Sequence, residues 1–216
     1  MRWRDAPATV ILAAVTIAAS LLVFATGSLP AASLGAGAVP ARFEGGLLPP
    51  DLAIALPAWV TPLSCTLIHG SLAHLAFNMV MLLFCGMQAE RAIGTGGLIV
   101  AYVVGAYAAA AGQWLLAPAS PVPMIGASGA ISAVVAAYAL LYGRSQPAAI
   151  GPVPGGVVHV LWLAAAWIGI QALTGIAGMG VPGAGTAPVA IGAHVGGFIA
   201  GLLLARPLLL WRYRRA

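Results

Sequence analysis

Six apolar runs, at 6–26, 67–86, 97–116, 126–142, 157–176 and 191–210, fix what this chain can fold into. A hydrocarbon core about 30 Å thick takes about 20 apolar residues to cross as a helix, and in lipid every backbone polar group has to be satisfied within the segment. At 62% hydrophobic, 6% charged and mean hydropathy +1.03, the chain falls far below the roughly 25% charged residues of a soluble domain. The expected fold is all-α: a polytopic membrane protein, a bundle of six transmembrane helices. The 216 residues leave no second domain over, so 1–216 reads as one domain. Intervals 117–123, 143–156 and 178–188 have the Pro/Gly composition of loops. Residues 29–59 form a long first loop, too polar and broken to span, with room for a partly ordered interfacial structure.

Orientation follows from the nine basic residues, all arginine. With an even number of spans both ends share one side, and Arg2, Arg4, Arg91, Arg144, Arg206, Arg212, Arg214 and Arg215 fall there, against Arg42 opposite. The positive-inside rule places both termini in the cytoplasm and gives the +5 charge a topological meaning rather than a nucleic-acid one. The tail Trp211-Arg212-Tyr213-Arg214-Arg215 reads as an interfacial anchor. The first run exceeds the roughly 7–15 apolar residues of a cleaved signal and is read as a retained helix. Arginine without lysine, among abundant alanine and glycine, suggests a GC-rich bacterial genome and hence the cytoplasmic membrane.

Ionisable groups inside a membrane are costly and mark functional sites. The four acids, Asp5, Glu44, Asp51 and Glu90, all lie in loops or at span ends. That disfavours an ion-coupled carrier, an aspartyl protease and a carboxylate third member of a serine triad. No His-Glu-x-x-His pattern occurs, which disfavours a zinc protease; the Met79, Met81 and Met87 cluster is apolar filling, and no cofactor is expected. Mid-membrane polar residues are Ser128, His194, His74, Asn78 and His69. On a helix rising 1.5 Å per residue, His194 lies about 18 Å from Arg206 and Ser128 about 24 Å from Arg144, so both sit in the outer half of the core.

A neutral imidazole within hydrogen-bond reach turns a serine into a nucleophile, and Ser128 with His194 can form such a dyad. Two Gly-x-x-x-Gly pairs, Gly192 with Gly196 and Gly197 with Gly201, permit close approach to the small residues Gly129, Ala130, Ala133 and Ala136 of the fourth span. Acyl transfer also requires donors for the oxyanion. His74 and Asn78, four apart, share a helix face, and backbone N–H groups at the helix start near Ser128 add to them.

These residues stand in His69-Gly-Ser-Leu-Ala-His74-Leu-Ala-Phe-Asn78, in Gly126-Ala-Ser128-Gly129 and in Ala193-His194-Val-Gly-Gly197-Phe-Ile-Ala-Gly201. In that order, on the second, fourth and sixth spans, they resemble the rhomboid family of intramembrane serine proteases. Trp59-Val-Thr61-Pro62 and Glu90-Arg91-Ala-Ile-Gly94 look like family flanks, and the resemblance covers about 6–210. It implies Ser128 as nucleophile, His194 as general base and acid, and His74 and Asn78 as oxyanion donors. It also implies transmembrane protein substrates cleaved near the outer face, a mobile fifth span and a gating cap at 178–188. Two departures stand out. Ser132 occupies the position where some relatives carry an aromatic against the histidine, and the Trp-Arg pair of many first loops is not evident.

Other polar residues receive plainer readings. Ser20, Ser64 and Ser132 are expected to bond back to backbone carbonyls, His69 to fix a loop, and His159 to be interfacial. Cys65 and Cys85, about 30 Å apart on a helix, are expected to stay reduced. A catalytically silent client-binding relative, or a transporter, is the alternative function. Substrate identity, cut site and oligomeric state have no signature in the sequence.

Overall fold

The computed structural model of the chain describes residues 3–46, 48–49, 52, 55–142, 148–178 and 190–214. The helices are α1 (Pro7–Ala25), α2 (Leu29–Ala36), α3 (Pro40–Phe43), α4 (Thr61–Ser64), α5 (Leu72–Met81), α6 (Met87–Leu116), α7 (Ser128–Tyr142), α8 (Gly155–Gly178) and α9 (Ile191–Tyr213). Among the described residues there are only isolated β-bridges and no strands. The expected cap, beyond Gly178, lies outside the described residues, as do Arg2, Asp51, Arg144 and Arg215.

Two boundaries differ from the sequence expectation. The second run begins as helix only at Leu72, where the Ser71 hydroxyl caps the first turn by accepting from His74 N–H; residues 58–67 form short turns instead. The break expected between the second and third runs is a single residue. α5 passes through a π-turn at Leu82–Gly86 into α6, and the interruption falls at Gly94, whose φ of 79° and ψ of 165° no helix accommodates. Among the described residues three stretches are long and apolar enough to cross a bilayer: α1, the 45-residue Leu72–Leu116 and α9.

The bundle is apolar outside and finely packed within. Leu22, Trp162 and Leu203 are more than 60% exposed, whereas α7 buries Ser128–Ala137 without interruption. Small residues permit this. A Cβ at Gly192 or Gly196 would collide with α6 at the Gly112 and Ala108 carbonyls, and one at Gly197 or Gly201 with α7 at the Gly129 and Ala133 carbonyls. The two Gly-x-x-x-Gly pairs thus seat α9 against two neighbours at backbone contact, where dispersion and shape rather than water expulsion hold helices together.

At one end of the bundle the start of α1, the residues before Gly94 and the end of α9 converge. α1 has Pro7 in its first turn and no capping side chain of its own. Its cap comes from the buried Glu90 carboxylate, which accepts from Ala8 N–H (3.0 Å), Thr9 N–H (2.8 Å) and Thr9 Oγ1 (2.7 Å), and from Thr95 Oγ1 (2.9 Å). An anion at a helix N-terminus also opposes the macrodipole favourably. Arg212 donates to the Glu90 and Arg91 carbonyls, and Arg91 pairs with Asp5 at 3.6 Å. Glu90→Ala strands these donors, and should cost about 3 kcal/mol against unfolding in micelles, with Glu90→Gln intermediate.

At the opposite end the described residues of the first loop are held by hydrogen bonds. Ala38 and Met124 exchange backbone hydrogen bonds, Ala41 N–H donates to Ser120 O, and Leu56 N–H to Gly35 O. Ser64 donates to Ala36 O, Trp114 Nε1 to Glu44 and Tyr107 to Trp59 O. The loop is thereby fastened to the segment leading into α7. Ser64 does bond a carbonyl, but one in α2 rather than its own turn, because its helix is a single turn with the loop packed against it.

Candidate active site

Ser128 opens α7 and His194 lies in the first turn of α9. The Gly129–Gly197 backbone contact brings the two helices together beside them. Ser128 Oγ and His194 Nε2 are 2.8 Å apart, with Ser128 8% and His194 4% exposed. An imidazole Nε2 accepting the hydroxyl proton at this distance is the arrangement a general base needs.

The approach to Ser128 is shaped by its predecessors. Gly126 adopts φ 112°, which side chains rarely tolerate, and a Cβ there would lie 2.7 Å from His74 Cε1. The His74 ring therefore lies directly on the backbone two residues before Ser128. Gly126 N–H donates to Cys65 O (2.9 Å) and Ala127 N–H to His69 Nε2 (3.3 Å). The first helical bond of α7 runs from Ile131 N–H to Ala127 O, so the N–H groups of Ser128, Gly129 and Ala130 precede it and have no intrahelical acceptor.

His69 is fully buried and fixes this segment in place. Because its Nε2 accepts from Ala127, its Nδ1 carries the proton and donates to Ser20 Oγ (2.9 Å), which donates in turn to Leu67 O (2.8 Å). His69 is thus the loop-fixing group expected. Ser20, expected to bond back along its own helix, instead ties α1 to the turn before α5, since His69 and Leu67 lie within its reach there.

Asn78, fully buried, sits one turn beyond His74 and donates through Nδ2 to His74 O at 2.9 Å. Its Oδ1 is buried with no hydrogen-bond partner among the described residues. Cys65 and Cys85 are buried free thiols, and His159 is half-buried. Among the described residues no three His, Cys, Asp or Glu side chains converge in a metal-binding group.

Sequence reasoning missed Trp167. Its Nε1 donates to Ser132 Oγ at 2.7 Å, and Ser132 bonds back to Ser128 O at 2.7 Å as expected. Its ring stacks on Phe77 (5.9 Å, 18°) and meets His194 in a T-shape (6.5 Å, 66°). The one signal in the sequence was its place in the middle of an apolar run, whereas membrane tryptophans gather at the interfaces.

Comparison with known proteins matches residues 57–211 to the family model described as the Rhomboid domain. Over 149 residues, 68% of this chain, it is 34% identical to a protein named Rhomboid protease GlpG from Yersinia enterocolitica. It is 33% identical over the same length to proteins of that name from Yersinia pestis and Yersinia pseudotuberculosis. The matched stretch is 46% of each relative, so the chain spans about half the length of the curated relatives it matches.

Proposed function

The chain belongs to the rhomboid family, and on that premise we propose that it is an intramembrane serine endopeptidase acting through Ser128 and His194. The observation that carries this reading is the 2.8 Å hydrogen bond between Ser128 Oγ and His194 Nε2, made across two helices in the buried interior of the bundle.

Ser128 Oγ attacks the scissile carbonyl while His194 Nε2 takes its proton. His194 then hands that proton to the leaving amine, and a water molecule activated by the same imidazole hydrolyses the acyl-enzyme. His74 and Asn78 donate to the oxyanion, together with N–H groups of the first turn of α7. The placement of His74 on Gly126 supports this assignment, as does the commitment of Ala127 N–H to His69, which leaves the donors from Ser128 onward. His74→Ala and Asn78→Ala are each expected to lower kcat about a hundredfold with KM little changed, as loss of one oxyanion donor does.

Six crossings are proposed: α1, the two halves of Leu72–Leu116 on either side of Gly94, α7, α8 and α9. Supporting this, Asp5, Glu90, Arg91 and Arg212 meet at one end, the expected cytoplasmic side in a cell membrane, with Ser128 and His194 towards the other. Substrates are then transmembrane proteins cut near the outer face, where the first loop offers a polar rim for water. A helical peptide bond is shielded, so helix-breaking residues at the cut site promote cleavage. Purified protein in lipid, given a membrane-anchored reporter, should release product with chelator present. Failure both to cleave and to react with a fluorophosphonate would sink the proposal.

A further inference from the structure

We propose that Trp167 is a positioning residue for the Ser128–His194 pair, acting through Ser132 on one partner and by ring contact on the other; this rests on the protease reading above. The direction of its hydrogen-bond chain is forced. An indole N–H only donates, so Ser132 Oγ must accept there and spend its single proton on the Ser128 carbonyl. The chain Trp167 to Ser132 to Ser128 therefore ends on the backbone of the proposed nucleophile. All of it is sheltered from solvent: Trp167 is 2% exposed and Ser132 0%.

The same indole lies against His194 with a centroid separation of 6.5 Å and an interplanar angle of 66°, within the range of favourable edge-to-face aromatic pairs. Phe77, immediately before Asn78, fixes the indole plane by stacking at 5.9 Å. One side chain of α8 thus touches elements carrying each group the reaction needs. An imidazole serving as base works only if its ring plane is held towards the hydroxyl, and Trp167 supplies a wall that limits its rotation.

Space explains why the tryptophan and a small residue at 132 go together. A Cβ on Gly197 would stand 3.2 Å from Ser132 Cβ, so the α9 backbone closes one side of Ser132 while the indole closes another. With the indole nitrogen 2.7 Å from Ser132 Oγ, a large ring at position 132 would have to displace the indole from its present place. With Trp167 removed, a ring at 132 would enter the vacated space beside His194.

The test is the inactivation kinetics of the purified full chain in micelles with a fluorophosphonate. In that reaction Ser128 Oγ bonds to phosphorus, the P–F bond breaks, fluoride departs and His194 receives the proton. The small probe needs no helical substrate to enter, so its limiting rate reads the dyad. Trp167→Ala should lower that rate about tenfold or more with the probe's half-saturating concentration within about twofold of wild type, and Trp167→Phe, which keeps a ring, should lose less. Ser132→Tyr alone should be impaired by overpacking, whereas Ser132→Tyr combined with Trp167→Ala should recover most of the rate.

A Trp167→Ala protein that melts normally and labels at the wild-type rate would overturn the proposal, as would a double variant no faster than Trp167→Ala. Should Trp167→Ala not fold, Trp167→Phe decides: a wild-type rate overturns the proposal and a reduced one supports it. Wild type that neither labels nor cleaves a membrane-anchored reporter removes the protease reading and this inference with it. Wild type that labels through Ser128, with indifferent Trp167 variants, removes the inference alone.

Discussion

Ser128→Ala is expected to abolish cleavage of a membrane-anchored reporter, a loss of about ten-thousandfold or more, and to erase fluorophosphonate labelling. His194→Ala should fall to the same level, and the double variant no further, because a nucleophile without its base and a base without its nucleophile are equally idle. Ser128→Ala should barely change stability, since one buried hydrogen bond is lost, worth about 1 kcal/mol, against a helix interface that the substitution does not open. A folded Ser128→Ala protein is therefore the control that separates chemistry from structure. Cleavage that survived it would end the serine mechanism. Ion flux that survived it, with no cleavage at all, would point to the transporter alternative.

How much of this was legible in the sequence follows from what each feature depends on. α1, α7 and α9 were readable to within a few residues because a long run of apolar residues decides a helix in an apolar bundle. Ser128 and His194 were readable because so few polar side chains interrupt those helices. The spacing of Gly192, Gly196, Gly197 and Gly201 announced close contact, and the structure divides it between α6 and α7. Other features depend on pairings that no local pattern encodes. Gly94 did not look like the sole break between two helical rods, because the residues before it look like a loop until Glu90 is seen to cap α1 from 81 positions away. The turn at Ser71 and the bonds from Ser20 and Ser64 likewise need the partner segment to be known. Trp167 was invisible as a site residue, since its contacts with Ser132 and His194 arise only once α8 stands beside α7 and α9.

Gly197→Ala is expected to cost about a hundredfold in the limiting rate of labelling while the protein remains membrane-inserted and folded. The added methyl would overlap the Gly129 carbonyl, which is backbone and has no rotamer to yield, so α9 must move away from α7. Ser128 and His194 stand on opposite sides of that interface, Ser128 one residue before Gly129 and His194 three before Gly197, and their 2.8 Å contact is the first casualty. A misplacement of about 1 Å at a reacting pair is enough for such a loss. Gly201→Ala meets the Ala133 backbone one turn further from the site. It should destabilise comparably, by about 1–3 kcal/mol for an overpacked contact, but slow labelling less, because the splay it causes is levered rather than direct. Gly169 on α8 is exposed, and a methyl added there would meet no atom of the described residues within 4 Å, so Gly169→Ala should match wild type in both respects. Labelling rates and unfolding midpoints for the three variants, measured in one lipid, decide the matter. Were Gly197→Ala as fast as wild type, the dyad would not depend on the backbone contact of α7 with α9. Equal rate losses at 197 and 201 would mean that global loosening, not local geometry, controls the reaction.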